Sequence, residues 1–290
     1  VSTTEANSEQ QRQLYVGLKR LLGPVMGSAI EEIAAVADFE LSNEAGRPFV
    51  DFVHWVNAKP TFIAQWRADP ITEKRDYLRF MTVTDDVRSA YAAACYHLGR
   101  LTQIESAVNA VLSRYDFTRE LPTNSVAAIG RMRQLDFEYH SFVIACRRCL
   151  DYLAFGLSTY FQERQSSYKR FGEKTLVSAH PRIVAAALKE VYDRHCQKFD
   201  FVMGDERGRS LRDRIGHNEF VQAATINVDA NGHRFVGGGE NLRLSNPTDN
   251  RSLSEILKGR TAGLHTCISD FLTTFRTVVT ELSENPGNGK

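Results

Sequence analysis

The chain has 290 residues, of which 42% are hydrophobic and 24% charged, with a net charge of +1. That balance excludes a disordered, collagen-like or strongly polycationic protein, and the length is ample for a buried core. Contact with nucleic acid would have to come from a local patch such as Arg207, Arg209, Arg212 and Arg214, not from global charge.

Residues 1–10 read as a flexible lead. Over 11–39 the apolar positions Leu14, Leu18, Leu21, Leu22, Val25, Met26, Ile30, Ile33 and Val36 recur at helical spacing, with Gly23-Pro24 predicting a kink or a break into two helices. Residues 40–78 are less regular. Phe49, Phe52, Val53, Trp55, Phe62, Ile63 and Trp66 supply large apolar surface there, broken by Lys59-Pro60 and Asp69-Pro70. A helical cap packed on the main bundle is the plain reading, and an aromatic ligand pocket the sharper one.

A helix is expected over 84–115, opened by Thr84-Asp85-Asp86, with the small Ala90 and Ala94 permitting close packing. The next is expected over 126–161, with Leu135, Phe142, Cys146, Cys149, Leu150, Leu153 and Leu157 on its core face. Residues 166–181 read as a polar linker, with Pro181 placed in the first turn of another helix. Alternation around Thr225–Val228 and 233–236, with the turn signal Asn231-Gly232 between, predicts a β-hairpin. Ser252 or Asn250 caps a closing helix whose stripe runs from Leu253 to Val279, and 285–290 form a tail. The fold class is therefore all-α: a mainly antiparallel helical bundle with an N-terminal helical cap and a small β-hairpin insertion. It forms one helical domain over 11–284, with the cap at 11–83, the bundle at 84–284 and the hairpin near 220–237.

The five cysteines are widely spaced and odd in number, which argues against a secreted disulfide framework. No apolar run approaches a membrane span and the N-terminus lacks a signal-peptide core, so a cytoplasmic protein is expected. Cys146 and Cys149 have CxxC spacing but fall inside a helix, where two packed thiols are expected rather than a metal or redox pair. HExxH, P-loop and dinucleotide glycine signatures are absent, so neither a metal nor a cofactor is assigned. His140, His195 and His265 read as packing histidines.

The densest chemistry lies in Leu211-Arg212-Asp213-Arg214-Ile215-Gly216-His217-Asn218. Arginine holds phosphate through a fixed fork of donors, and histidine moves a proton near neutral pH. Asp213 can orient a basic group, Asn218 can position a phosphate oxygen or hydroxyl, and Glu138 can reach across the bundle to support them. Arg207, Arg209 and Arg214 would add phosphate contacts. These are parts for metal-independent RNA cleavage. A structural reading stands beside it, in which Arg212 pairs with a neighbouring acid and His217 caps a turn.

Arg212 through His217 resembles the RxxxxH signature of the HEPN superfamily. The helix holding Phe137-Glu138-Tyr139-His140-Ser141-Phe142 and the closing helix over 252–282 are compatible with that bundle, so the resemblance covers 84–284. It implies a metal-independent endoribonuclease of a toxin, defence or RNA-processing kind. Arg212 would contact phosphate and His217 would be the catalytic histidine, at a site composed across a homodimer. Asp213 stands where asparagine is common in the family. A neutralising protein partner is a further implication. Other members are non-catalytic RNA-binding, protein-binding or scaffold modules.

Overall fold

The computed structural model describes residues 20–21, 23–58, 61–68, 72–116, 125, 127–130, 132–204, 210–217, 220–229, 232–237 and 252–284. The protein is a mainly helical bundle carrying one small antiparallel sheet. The N-terminal helices are α1 (Pro24–Ala37), α2 (Asn43–Asn57), α3 (Thr61–Ala68) and α4 (Thr72–Met81). The bundle is built on α5 (Asp85–Leu112), α6 (Arg133–Tyr160), α7 (Arg182–His195) and α10 (Leu253–Glu284), with the short α8 (Asp200–Met203) and α9 (Leu211–His217) between α7 and the sheet.

The expected break at Gly23-Pro24 is present. Arg20 and Leu21 are helical, Gly23 takes φ 85°, which glycine tolerates without a Cβ penalty, and Pro24 opens α1. The apolar residues Val25, Met26, Ile33 and Val36 of α1 are exposed. The rest of the cap behaves differently. Phe49, Phe52, Val56, Ile63 and Phe80 are sealed into the same core as Leu153, Leu157, Phe271 and Phe275 of the long helices. Trp55 and Phe62 pack against Phe275, and Phe62 also meets Trp66, Phe80 and Tyr160. These rings pack against one another and against the long helices as part of the core.

Ala90 and Ala94 are buried where α5 lies along α6, as their size requires. Gly156 lets α6 approach the turn before α5: a Cβ there would sit 2.2 Å from Val83 Cγ2. α10 begins with a capping box. The Ser252 hydroxyl accepts from the Glu255 N–H at 3.2 Å, and the Glu255 carboxylate accepts from the Ser252 N–H at 2.8 Å. Buried Glu105 of α5 accepts from the Ser254 N–H at 2.8 Å, placing a carboxylate at the positive end of α10.

Three expectations need correction. Residues 127–129 do not begin the long helix: Ala127–Ile129 form β1, paired antiparallel with β2 (Ala224–Asp229) from Ala127↔Val228 to Ile129↔Ile226. The sheet order is β1-β2-β3, with β3 (Gly232–Gly237) completing the expected hairpin. β2 turns Ile226 and Val228 onto Leu112 at the end of α5, and this apolar contact draws the added strand in. The stretch over 166–181 is not a linker. Tyr168–Arg170, a π-turn at Phe171–Thr175 and Leu176–Ser178 form a helical run anchored by buried Tyr168, Phe171 and Leu176. Pro181 precedes α7 instead of lying in its first turn. Among the described residues, no helix is long and apolar enough to cross a membrane.

Candidate functional site

The Arg212 stretch folds as α9, and the local reason is a cap. Buried Ser210 accepts the Asp213 N–H on its hydroxyl at 3.0 Å, satisfying one of the first-turn donors. Leu211 is fully buried and Ile215 half-buried, so the helix sits on α6 and α8 by its apolar side. Asp213 in the first turn complements the helix dipole.

Arg212 faces solvent, its side chain 47% exposed, and its Nη1 donates to Asp213 Oδ1 at 2.9 Å. Burial pushes the Asp213 carboxyl up, but hydrogen bonds with Ser210 and Arg212, and the charges of Arg212 and Arg147, outweigh it and leave the group below its ordinary value. His217 ends the helix. Positions 212 and 217 stand five apart, near the two ends of this short helix. Arg214 differs from its neighbour: its Nη1 is buried, and its charge reaches the phenol of Tyr139 inside the bundle. Arg207, Arg209 and Asn218 lie outside the described residues.

Glu138 does not reach α9. Its carboxylate meets His97 Nδ1 at 2.7 Å and lies 3.8 Å from Arg100 Nε, both on α5. Helical phase explains this: Glu138 and its neighbours Asp136, Tyr139 and His140 point around α6 in different directions. It is those neighbours that serve the segment after α9. Buried Asp136 accepts the Ala223 N–H at 2.7 Å, and His140 Nε2 donates to the Val221 carbonyl at 2.6 Å. The carbonyl has no proton to give, so the His140 proton must be on Nε2. These two bonds fasten 221–223 to α6.

Arg147 belongs to the same neighbourhood and was not singled out by the sequence reading, which took the Cys146-Arg147-Arg148-Cys149 run for its thiols. Its Nε donates to Asp151 Oδ2 at 2.8 Å and its Nη1 to the Val202 carbonyl of α8 at 3.3 Å. The other Asp151 oxygen accepts the Tyr168 N–H at 3.0 Å. The i, i+4 spacing to Asp151 was the available signal. Cys146 and Cys149 are buried thiols of the α6 interior, both pushed up by burial.

No family model, curated protein or solved structure matches the chain. The site must be judged on its chemistry.

Grooves exist elsewhere. One between α5 and α6 is lined by Asp86, His97, Arg148 and Tyr152, and another between α2 and α10 by Glu44, Arg47, His265 and Arg276. Each is open to solvent and mixes both signs of charge, and neither includes a residue of α9. His195 is buried, with its Nε2 on Asp270 at 2.8 Å and its Nδ1 3.3 Å from Lys198 Nζ, a satisfied ring tying α7 to α10.

Proposed function

We propose that this protein is a metal-independent, HEPN-like endoribonuclease that acts as a homodimer on RNA in the cytoplasm. The observation that carries the reading is α9 itself: a short capped helix docked on the bundle, with solvent-exposed Arg212 at its start and His217 at its end. The guanidinium grips a non-bridging phosphate oxygen and offsets the charge that develops there. Histidine takes the proton of the 2′-hydroxyl, whose oxygen attacks phosphorus while the bond to the 5′-oxygen breaks. The leaving oxygen takes its proton from water, and the imidazolium gives its own proton to the hydroxide so formed. The products are a 2′,3′-cyclic phosphate and a 5′-hydroxyl.

Arg212 and His217 stand at opposite ends of α9, and two copies facing each other across a two-fold axis would bring the arginine of one beside the histidine of the other. Asp213 competes with phosphate for Arg212 only weakly. Its pair with Arg212 is exposed on both sides, and such a pair is worth on the order of 0.5 kcal/mol, less than a phosphate offers the same fork.

The same pair favours a second reading, a non-cleaving RNA- or protein-binding module in which Asp213 keeps Arg212 occupied. Incubation with mixed RNAs in excess chelator separates the two. The nuclease yields 2′,3′-cyclic phosphate ends, and Arg212→Ala and His217→Ala each lower the rate about 100-fold or more with fold and oligomeric state retained. Cleavage that persists unchanged in both variants would sink the assignment.

A further inference from the structure

The segment that follows α9 carries an aromatic feature that the cleavage chemistry does not use. Phe220 is 59% exposed and Phe137 of α6 is 57% exposed. Their rings meet edge-on, 6.5 Å apart at 87°. The His140 ring stands 5.1 Å from the Phe220 ring. Two residues of chain lie between His217 and Phe220, which limits the distance between their Cα atoms to roughly 11 Å. Arg133, one turn before Phe137 on α6, is exposed.

We propose that Phe137 and Phe220 form a stacking platform for an unpaired nucleobase next to the scissile phosphate, so that the RNA taken is single-stranded at the point of cleavage. The inference rests on the ribonuclease reading and names the substrate's form. Three observations favour a base as the occupant. The two rings together present roughly 200–300 Å², taking 150–250 Å² for a whole ring. That is far short of the ~800 Å² per partner of a stable protein interface, and it suits one or two flat ligands. Exposed arginines stand near, Arg133 one turn before Phe137 and Arg212 on the adjoining helix in its exposed pair with Asp213, and such groups attract a backbone of phosphates. The platform is also rigid. His140 is locked by its bond to Val221, and Asp136 holds Ala223, so Phe220 is tethered just beyond two fixed points on α6. A preset ring loses little entropy on stacking. A base paired within a duplex keeps its faces covered and cannot use such a surface.

The test uses the full chain and a fully 2′-O-methylated single-stranded oligonucleotide carrying 2-aminopurine. Methylation blocks the attacking hydroxyl, so binding is read apart from cleavage. The platform predicts quenching of the probe on binding, and affinity about 10-fold weaker in Phe137→Ala and in Phe220→Ala. Phe220→Trp retains binding and Phe220→Leu does not, which separates stacking from mere apolar contact. The same sequence as a duplex competes poorly. No binding by the parent, or equal affinity in all variants, overturns the platform. So does loss of self-association by sedimentation in the alanine variants, which would give the rings to a second copy of the chain. The readouts also separate the two claims: binding without cleavage of unmodified RNA refutes the nuclease alone, and cleavage with unaltered variant affinities refutes the platform alone.

Discussion

Two groups of aromatic side chains in this molecule share a chemistry and differ in everything around them. Phe52, Trp55, Phe62 and Phe80 of the cap, with Tyr160 of α6, converge on Phe275 of the closing helix, and Phe52, Phe80 and Phe275 are buried almost completely. Beside α9, Phe137 and Phe220 meet each other, Phe220 also meets His140, and both residues are more than half exposed. The first group spends its apolar surface on closing the fold, whereas the second is left open next to a basic stretch. Aromatic richness alone points to the cap as a ligand site. Burial and charge point instead to the pair that is sparse in sequence but exposed in space.

The contrast is open to test by substitution. Phe275→Ala removes the ring on which the sealed group converges and should cost about 3–5 kcal/mol in denaturant unfolding. Gly172→Ala should cost about 1–3 kcal/mol or more, because its Cβ would stand 2.1 Å from the Tyr192 ring, whose flat body has little freedom to yield. Asp136→Ala leaves the Ala223 N–H without its acceptor and should cost about 1–3 kcal/mol. It should also weaken binding of the 2-aminopurine oligonucleotide, since the platform loses an anchor. Phe137→Ala and Phe220→Ala should change stability by no more than about 0.5 kcal/mol while lowering that binding. A loss of several kcal/mol in either would show that the open pair is core after all.

The thiols and phenols of the interior give a slower test of the sealed side. Burial raises Cys146, Cys149, Tyr139 and Tyr168 above their ordinary values and pushes Cys267 up to about 12. A group with a raised folded value adds stability that is complete below its unfolded value and fades as pH climbs toward the folded one. Unfolding midpoints should thus hold near neutrality and decline above about pH 9, the ordinary range of the unfolded thiol. A midpoint constant through pH 11 would contradict the burial of these groups.

What was legible in the sequence follows local physics. The long stripe of α10, its Ser252 cap, the break at Gly23-Pro24 and the β-hairpin depend on residues within a few positions of one another. What was not legible depends on distant partners. Ala127–Ile129 form a strand only because β2 arrives to pair with them. Tyr168 and Phe171 turn an apparently polar stretch into helix by finding the core. At the site, Arg212 as an exposed arginine beside Asp213 could be read from spacing, but the inward course of Arg214, the capture of Glu138 by His97 and the adjacency of Phe220 to Phe137 required the tertiary fold.

The central claim is that Arg212 of one copy works with His217 of another, and a mixing experiment tests it most directly. Arg212→Ala and His217→Ala proteins, each inactive alone, are unfolded together and refolded so that subunits exchange, then assayed on single-stranded RNA in chelator. Random pairing makes half the dimers mixed, each with one intact site of two, so the account predicts recovery of about a quarter of the parent rate. A mixture that forms such dimers by sedimentation but stays as inactive as its components would contradict it.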